Sequence, residues 1–150
     1  VITVSDTRTL QDDLGGALIV QTLDRAGHRV VARKIIVDQQ ERITEAVVAL
    51  LADPQVDAVL LTGGTGLAAR DQTTEAVERL FDAEVPGYGE LFRMLSYQEI
   101  GPAAMLSRAM AGRVGRKLVL TMPGSPNGVR LAMEKLIAPE LAHLVLHAGK

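Results

Sequence analysis

The stretch Asp57-Ala-Val-Leu-Leu-Thr-Gly-Gly-Thr-Gly-Leu-Ala-Ala-Arg-Asp71 decides the fold, because it passes within a few residues from a buried strand to a loop able to hold an anion. Val59, Leu60 and Leu61 make a short apolar run bounded by turn residues, the mark of a central strand covered on both faces. Thr62, Gly63, Gly64, Thr65 and Gly66 then break it. Three glycines accept positive φ and let a ligand come close to the backbone. Successive amides in such a turn, beside two hydroxyls, form a concavity suited to phosphate. A P-loop is excluded, since no lysine follows the glycines. Gly64-x-Gly66-x-x-Ala69 fits the loose dinucleotide fingerprint. However, the next helix is expected only near Thr73, and the stretch follows the third strand instead of the first, so this reading is the weaker one. On these five residues alone, a plain turn without ligand competes equally.

Asp71, beside Arg70, shifts the balance. A carboxylate about 4 Å from a bound phosphate is repelled by a few kcal/mol at the dielectric of a protein surface. Mg²⁺, which takes one or two carboxylates together with phosphate oxygens and water, reconciles the two. Capping of the helix from Thr73 to about Phe81 is the plainer role, and the two are compatible.

Upstream, Val1 to Val4 reads as a strand that ends at Ser5-Asp6-Thr7. Asp13 is a good N-cap for a helix from Leu14 to Ala26, with Leu14, Leu18, Ile19, Leu23 and Ala26 at helical spacing and Gly27 at the C-terminal turn. Gly15 and Gly16 in its first turn point either to close packing or to a ligand near the backbone. Arg29 to Val37 reads as a second strand, stopping at Asp38, and Glu41 to Ala52 as a helix with Ile43, Ala46, Val47, Leu50 and Leu51 on one face. Strand-helix-strand-helix-strand with short connections gives a parallel sheet with ligands at the carboxyl ends of its strands. Asp6, Asp38 and Asp71 should therefore share a rim with the glycine loop.

Downstream, a helix from Thr74 to Asp82 is followed by the less periodic Val85 to Glu90. A short amphipathic helix is expected around Leu91 to Leu95, and another from Gly101-Pro102. Arg108–Val114 and Lys117–Met122 flank Gly115-Arg116, a two-residue hairpin signature, so one antiparallel strand joins the sheet. Pro123-Gly-Ser-Pro-Asn-Gly128 then leads into a helix from about Asn127 to Leu136, with Ser125 as N-cap and Pro126 in the first position. Aimed at the same rim, that helix start is a second anion site, although simple capping is the preferred reading of it taken alone. His143 and His147 lack a third ligand for metal.

The fold class expected is a three-layer α/β domain over residues 1–150 with a mostly parallel sheet carrying one antiparallel strand. A net charge of −2 with both signs interspersed, two Phe, two Tyr and no Trp leave neither a basic stripe nor stacking platforms, which argues against nucleic acid. The absence of cysteine removes thiol catalysis and disulfides. No apolar run approaches membrane-spanning length and no secretory pattern opens the sequence, so a cytoplasmic location is expected.

Thr62-Gly-Gly-Thr-Gly66, Arg70-Asp71, Pro86-Gly-Tyr-Gly-Glu90, Met105-Leu-Ser-Arg108 and Pro123-Gly-Ser-Pro126, in this order over almost the whole chain, closely resemble the MoaB/Mog family of molybdenum cofactor biosynthesis proteins. Phe92 to Pro102 is similar to the MoaB branch. The resemblance implies a trimeric or hexameric homo-oligomer that binds molybdopterin and, with Mg²⁺ and ATP, adenylylates the pterin's terminal phosphate with release of pyrophosphate. It implies catalytic and metal-binding roles for Asp38 and Asp71. Pterin contacts fall at Thr62, Gly63, Gly64, Thr65, Gly66, Gly87, Glu90, Ser96, Pro123, Gly124, Ser125 and Pro126, and nucleotide contacts at Ser5, Asp6, Asp13 and Gly16. A molybdate-insertion protein is the implied partner. The alternative is a non-catalytic molybdopterin carrier or scaffold, favoured in relatives that lack the first aspartate. Thr74 stands where the family often has proline, and Leu14-Gly15 where it often has a serine before the glycine matching Gly16.

Overall fold

The computed structural model describes residues 1–150. Its sheet is built from β1 (Ile2–Val4), β2 (Lys34–Ile36), β3 (Ala58–Thr62), β4 (Ala83–Glu84), β5 (Ala111–Val114) and β6 (Lys117–Met122), in the spatial order β2-β1-β3-β6-β5-β4. Strands β2, β1, β3 and β6 are mutually parallel, β5 runs against β6, and β4 pairs antiparallel with β5. Thus β5 alone opposes the others, as expected from the hairpin at Gly115, whose φ is +59°. The helices are α1 (Leu14–Arg25), α2 (Gln40–Ala52), α3 (Thr73–Glu78), α4 (Pro86–Ile100), α5 (Pro126–Ala132) and α6 (Ala138–Ala148). A 3₁₀ turn comes after α4 over Gly101–Leu106, and a π-helical turn, Met133–Ile137, joins α5 to α6.

The alternation of side chains along each strand sorts the core into two layers. Ile2, Val4, Val59, Leu61 and Val119 meet Ile43, Val47 and Leu50 of α2 and Ala76 and Val77 of α3. Leu60, Leu118, Leu120 and Met122 face the other way, against Ile19 and Leu23 of α1, Phe92 of α4, Val129 of α5 and Leu141 of α6. Burial of each such aliphatic side chain stabilises by about 1.5–3 kcal/mol, and Val59, Leu60 and Leu61 are buried on both faces, as their unbroken apolar run required.

Several expected boundaries move. The second strand covers only Lys34–Ile36, because its neighbour β1 offers three residues for pairing and a strand without a partner does not form. The third helix ends at Glu78, short of Phe81. Val85 to Leu95 is not a loop followed by a short helix: Pro86 takes the first helical position of a 15-residue α4. Leu14, expected on the buried face of α1, is 67% exposed. Ser125 caps α5 as anticipated, accepting from the Gly128 amide at 3.1 Å, and Asp13 caps α1, accepting from Gly16 at 2.9 Å.

Candidate functional site

The register aligns the carboxyl ends of four strands: Val4 with Ile36, Thr3 with Thr62, and Thr62 with Met122. The loops leaving these four ends therefore share one rim. The glycine loop leaves β3 with φ of +95° at Gly63 and +67° at Gly64, conformations that a side chain would strain. A Cβ on Gly63 would strike the Val4 carbonyl, and one on Gly64 would strike Thr73 Oγ1 and come within 2.9 Å of Asp38 Oδ2. On Gly66 it would lie 2.7 Å from Asp71 Oδ2. The glycines are thus cradled by the two aspartates that sequence singled out.

The amides of Gly64, Thr65, Gly66 and Leu67 donate to no acceptor within the chain, nor do those of Gly124 and Ser125, whereas Gly63 N–H donates to Met122 at 3.1 Å. Backbone donors left this way are what an anion site needs. The two loops touch directly, with the Gly124 Cβ position 3.3 Å from Gly63 Cα. Thr62 Oγ1 donates to Pro123 O at 2.8 Å, which ties them together. That bond corrects the reading of Thr62 as a ligand donor: its hydroxyl is buried and spent. Thr65 keeps its hydroxyl free of other chain groups.

Beside the loops opens a cavity of about 370 Å³ lined by Gly63, Gly64, Thr65, Gly66, Asp71, Ser96, Pro123, Gly124 and Ser125, together with Phe92, Ile100, Ala103, Leu106 and Leu131. Its size suits a small organic ligand. Glu99, Ser107 and Asn127 also line it; each lies within or beside a motif quoted above, but residue type alone does not mark it as facing a ligand. Gly87 and Glu90, expected at the ligand, do not line it. They sit six or more residues before Ser96 on α4, about 9 Å or more along the helix axis. Pro126 begins α5 behind Ser125. A hollow of similar size, about 390 Å³, opens at the opposite ends of the strands near Val30, Leu50 and Val145, but its lining is chiefly apolar. The free amides single out the rim as the candidate site.

The acidic residues divide into two groups. Asp6 Oδ1 accepts from the Asp38 amide at 2.9 Å, and Asp38 Oδ1 from the Gln72 amide at 2.9 Å. Asp71 Oδ2 accepts from the Ala68 amide at 3.0 Å. Asp71 therefore closes its own turn instead of capping α3, which corrects the capping expectation; Gln72 holds the N-cap position without a side-chain bond. Partial burial, then the charges of Asp71 and Asp6, raise the Asp38 pKa above the usual aspartate value, against the opposing Gln72 hydrogen bond. Asp38 Oδ2 and Asp71 Oδ1 keep no partner in the chain. A pair of carboxylates with one free oxygen each fits Mg²⁺, which completes its shell with phosphate oxygens and water. No group of three or more acidic or histidine side chains offers a fuller metal cage.

Asp13 belongs elsewhere. Only 3% exposed, it accepts from Thr3 at 2.6 Å, from the Gly16 amide, and from Arg33 at 3.1 Å. Burial opposes its ionisation, yet those hydrogen bonds and the Arg33 charge outweigh it and hold its pKa below the usual value. Gly16 is small because a Cβ would collide with Asp13 and Thr3. These two residues, expected at the nucleotide, are both engaged in contacts within the chain. Ser5 Oγ accepts from Arg8 at 3.0 Å and closes the turn that carries Asp6.

Residues 1–143 match the family described as "Probable molybdopterin binding domain". "Molybdenum cofactor biosynthesis protein B" of Bacillus subtilis is 53% identical over 151 aligned positions, covering 100% of this chain and 89% of that protein. A crystal structure of a molybdenum cofactor biosynthesis protein B superposes with a TM-score of 0.95 at 52% identity, covering 98% of this chain and 92% of the other. The tungsten cofactor synthesizing protein MoaB from Pyrococcus furiosus gives 0.89 at 37% identity, covering 99% and 94%.

Proposed function

This chain belongs to the MoaB branch of the MoaB/Mog family of molybdenum cofactor biosynthesis proteins, and we propose that within that pathway it is a molybdopterin adenylyltransferase. The observation that carries the reading is the pair of touching loops with free amides, flanked by Asp38 and Asp71. Two anionic reactants must be brought together, and backbone donors hold one of them without adding a mobile cation.

The terminal phosphate of molybdopterin sits on the amides of Gly64 to Gly66 and the start of α5, with the pterin body along Ser96, Ile100 and Leu131. A phosphate oxygen attacks the α-phosphorus of ATP, the bond from that phosphorus to the bridging oxygen breaks, and pyrophosphate leaves. A phosphate monoester, with its second pKa of about 6, is already ionised at neutral pH. No general base is required, so the aspartates are free for another task. Asp38 and Asp71 would hold Mg²⁺, which neutralises phosphate charge and fixes the triphosphate for in-line displacement. Asp6 supports Asp38 through its amide.

Replacing Asp71 by Asn should reduce turnover far more than molybdopterin binding; parallel losses in both would sink the assignment. A carrier or scaffold remains the competing reading. Tight pterin binding with no ATP binding under any divalent metal would establish it instead.

ATP supply assigns the reaction to the cytoplasm, and no helix is long and apolar enough to cross a membrane. Leu91, Met94, Tyr97, Ile100, Met105 and Leu106 stay exposed on α4 and the turn after it, a patch that supports self-association as a trimer or hexamer, which light scattering would read. The adenylylated product would pass to a molybdate-inserting protein.

A further inference from the structure

We propose that Arg108 is a positioning residue that keeps the glycine loop's amides and the Asp71 turn in one arrangement, an inference that rests on the adenylyltransferase reading of this site. Four hydrogen bonds converge from this one residue. Its amide donates to Thr65 O at 2.9 Å, Nε to Gly66 O at 2.8 Å, Nη2 to Asp71 O at 3.2 Å and Nη1 to Glu75 Oε1 at 2.5 Å.

The consequence comes from the planar trans peptide, in which a carbonyl and the next residue's N–H point in opposite directions. With the Thr65 and Gly66 carbonyls drawn to Arg108, the N–H groups of Gly66 and Leu67 point away from it. The Arg108 amide thereby sets the Gly66 N–H and its guanidinium the Leu67 N–H, so that both free donors face away from the side chain. The same side chain grips the Asp71 carbonyl, and Asp71 Oδ2 in turn holds the Ala68 amide at 3.0 Å. Loop and aspartate are thus clamped from behind. Glu75 fixes the clamp itself: the hydrogen bond from Arg108, stronger than the opposing burial, lowers its pKa.

Only a guanidinium presents several donors in a fixed fork; a lysine keeps the charge but can reach one acceptor at a time well. Arg108→Lys is therefore the informative variant. Two readouts separate positioning from a general loss of stability. In hydrogen exchange without ligand, the Asp71 amide, which donates to Ala68 O, and the Thr73 amide, which donates to Gly64 O, should exchange about tenfold faster or more, while Val59 and Leu120 in the sheet stay unchanged. In steady-state kinetics the KM for molybdopterin should rise about tenfold, the worth of one charge-assisted hydrogen bond. A residue that merely held the fold together would lower the active fraction, reducing apparent kcat at unchanged KM. Unchanged KM with exchange altered equally in loop and sheet overturns the proposal. Should the native protein show no molybdopterin binding at all, the adenylyltransferase reading fails, and the exchange comparison alone still decides whether Arg108 holds the loop.

Discussion

Replacing Gly64 by Ala tests whether the loop is built around its glycines. At φ +67° an L-residue costs about 1–2 kcal/mol relative to glycine. The added methyl would also meet Thr73 Oγ1, which donates to Gly63 O at 2.8 Å, so the hydroxyl must move and that bond, worth about 1 kcal/mol, is lost. The sum, about 2–3 kcal/mol, corresponds to a fall in Tm of about 5–10 °C for a domain of this size. The control is Gly87→Ala. A Cβ at Gly87 meets nothing within 4 Å, and the residue lies in the first turn of α4. There alanine should be neutral or stabilise by up to about 1 kcal/mol. Urea and thermal unfolding of both variants beside the native protein give the comparison, with the m-value checking that the unfolded state is unchanged. Equal stability of the Gly64 and Gly87 variants would refute the reasoning, because it would mean that neither positive φ nor the Thr73 contact constrains the loop.

Three further outcomes are expected. Arg33→Met strands a carboxylate that is 3% exposed, and since Arg33 itself is 26% exposed the loss should be about 2–3 kcal/mol in urea unfolding; adding Asp13→Asn should recover part of it. Asp13, held below the usual aspartate value, contributes stability that is present above about pH 4 and is lost as pH falls through its lowered pKa, so the Tm advantage of the native protein over Asp13→Asn should vanish in acid. For Asp38 the sign reverses. Its raised pKa means that the folded chain holds the proton more tightly than the unfolded chain does, so its cost to stability appears as pH rises from about 4 to that raised value and persists at pH 7. Asp38→Asn should match or exceed the native Tm at pH 7 while turnover is lost; a clear fall in Tm would contradict this.

The parts of the fold legible in sequence were those governed by local rules. The bounds of β6, Lys117–Met122, and the caps Ser125 and Asp13 follow from residue type, because turn chemistry and capping act over three or four residues. The glycine loop was legible for the same reason. Long-range contacts hid the remainder. Pro86, Gly87 and Gly89 resemble a loop, yet Gly89 packs a helix against the chain, its Cβ position lying 2.7 Å from the Ala109 carbonyl. β4 is two exposed residues, and only pairing with Gly112 and Arg113 makes it a strand. The pairing of Asp13 with Arg33 is hidden in the same way, because the two lie 20 residues apart. Of the two aspartates at the loop, Asp71 comes just after it in sequence, whereas Asp38 reaches it only through the parallel crossover.

The central claim is that this site joins two phosphates, and the most direct measurement is a single-turnover reaction of the purified protein with molybdopterin, ATP and Mg²⁺, with pyrophosphate and adenylylated pterin quantified together. The account predicts the two products in equal amounts from the native protein and neither from Asp38→Asn or Asp71→Asn. Molybdopterin bound stoichiometrically by the native protein, with no pyrophosphate formed, would contradict it and leave a carrier in its place.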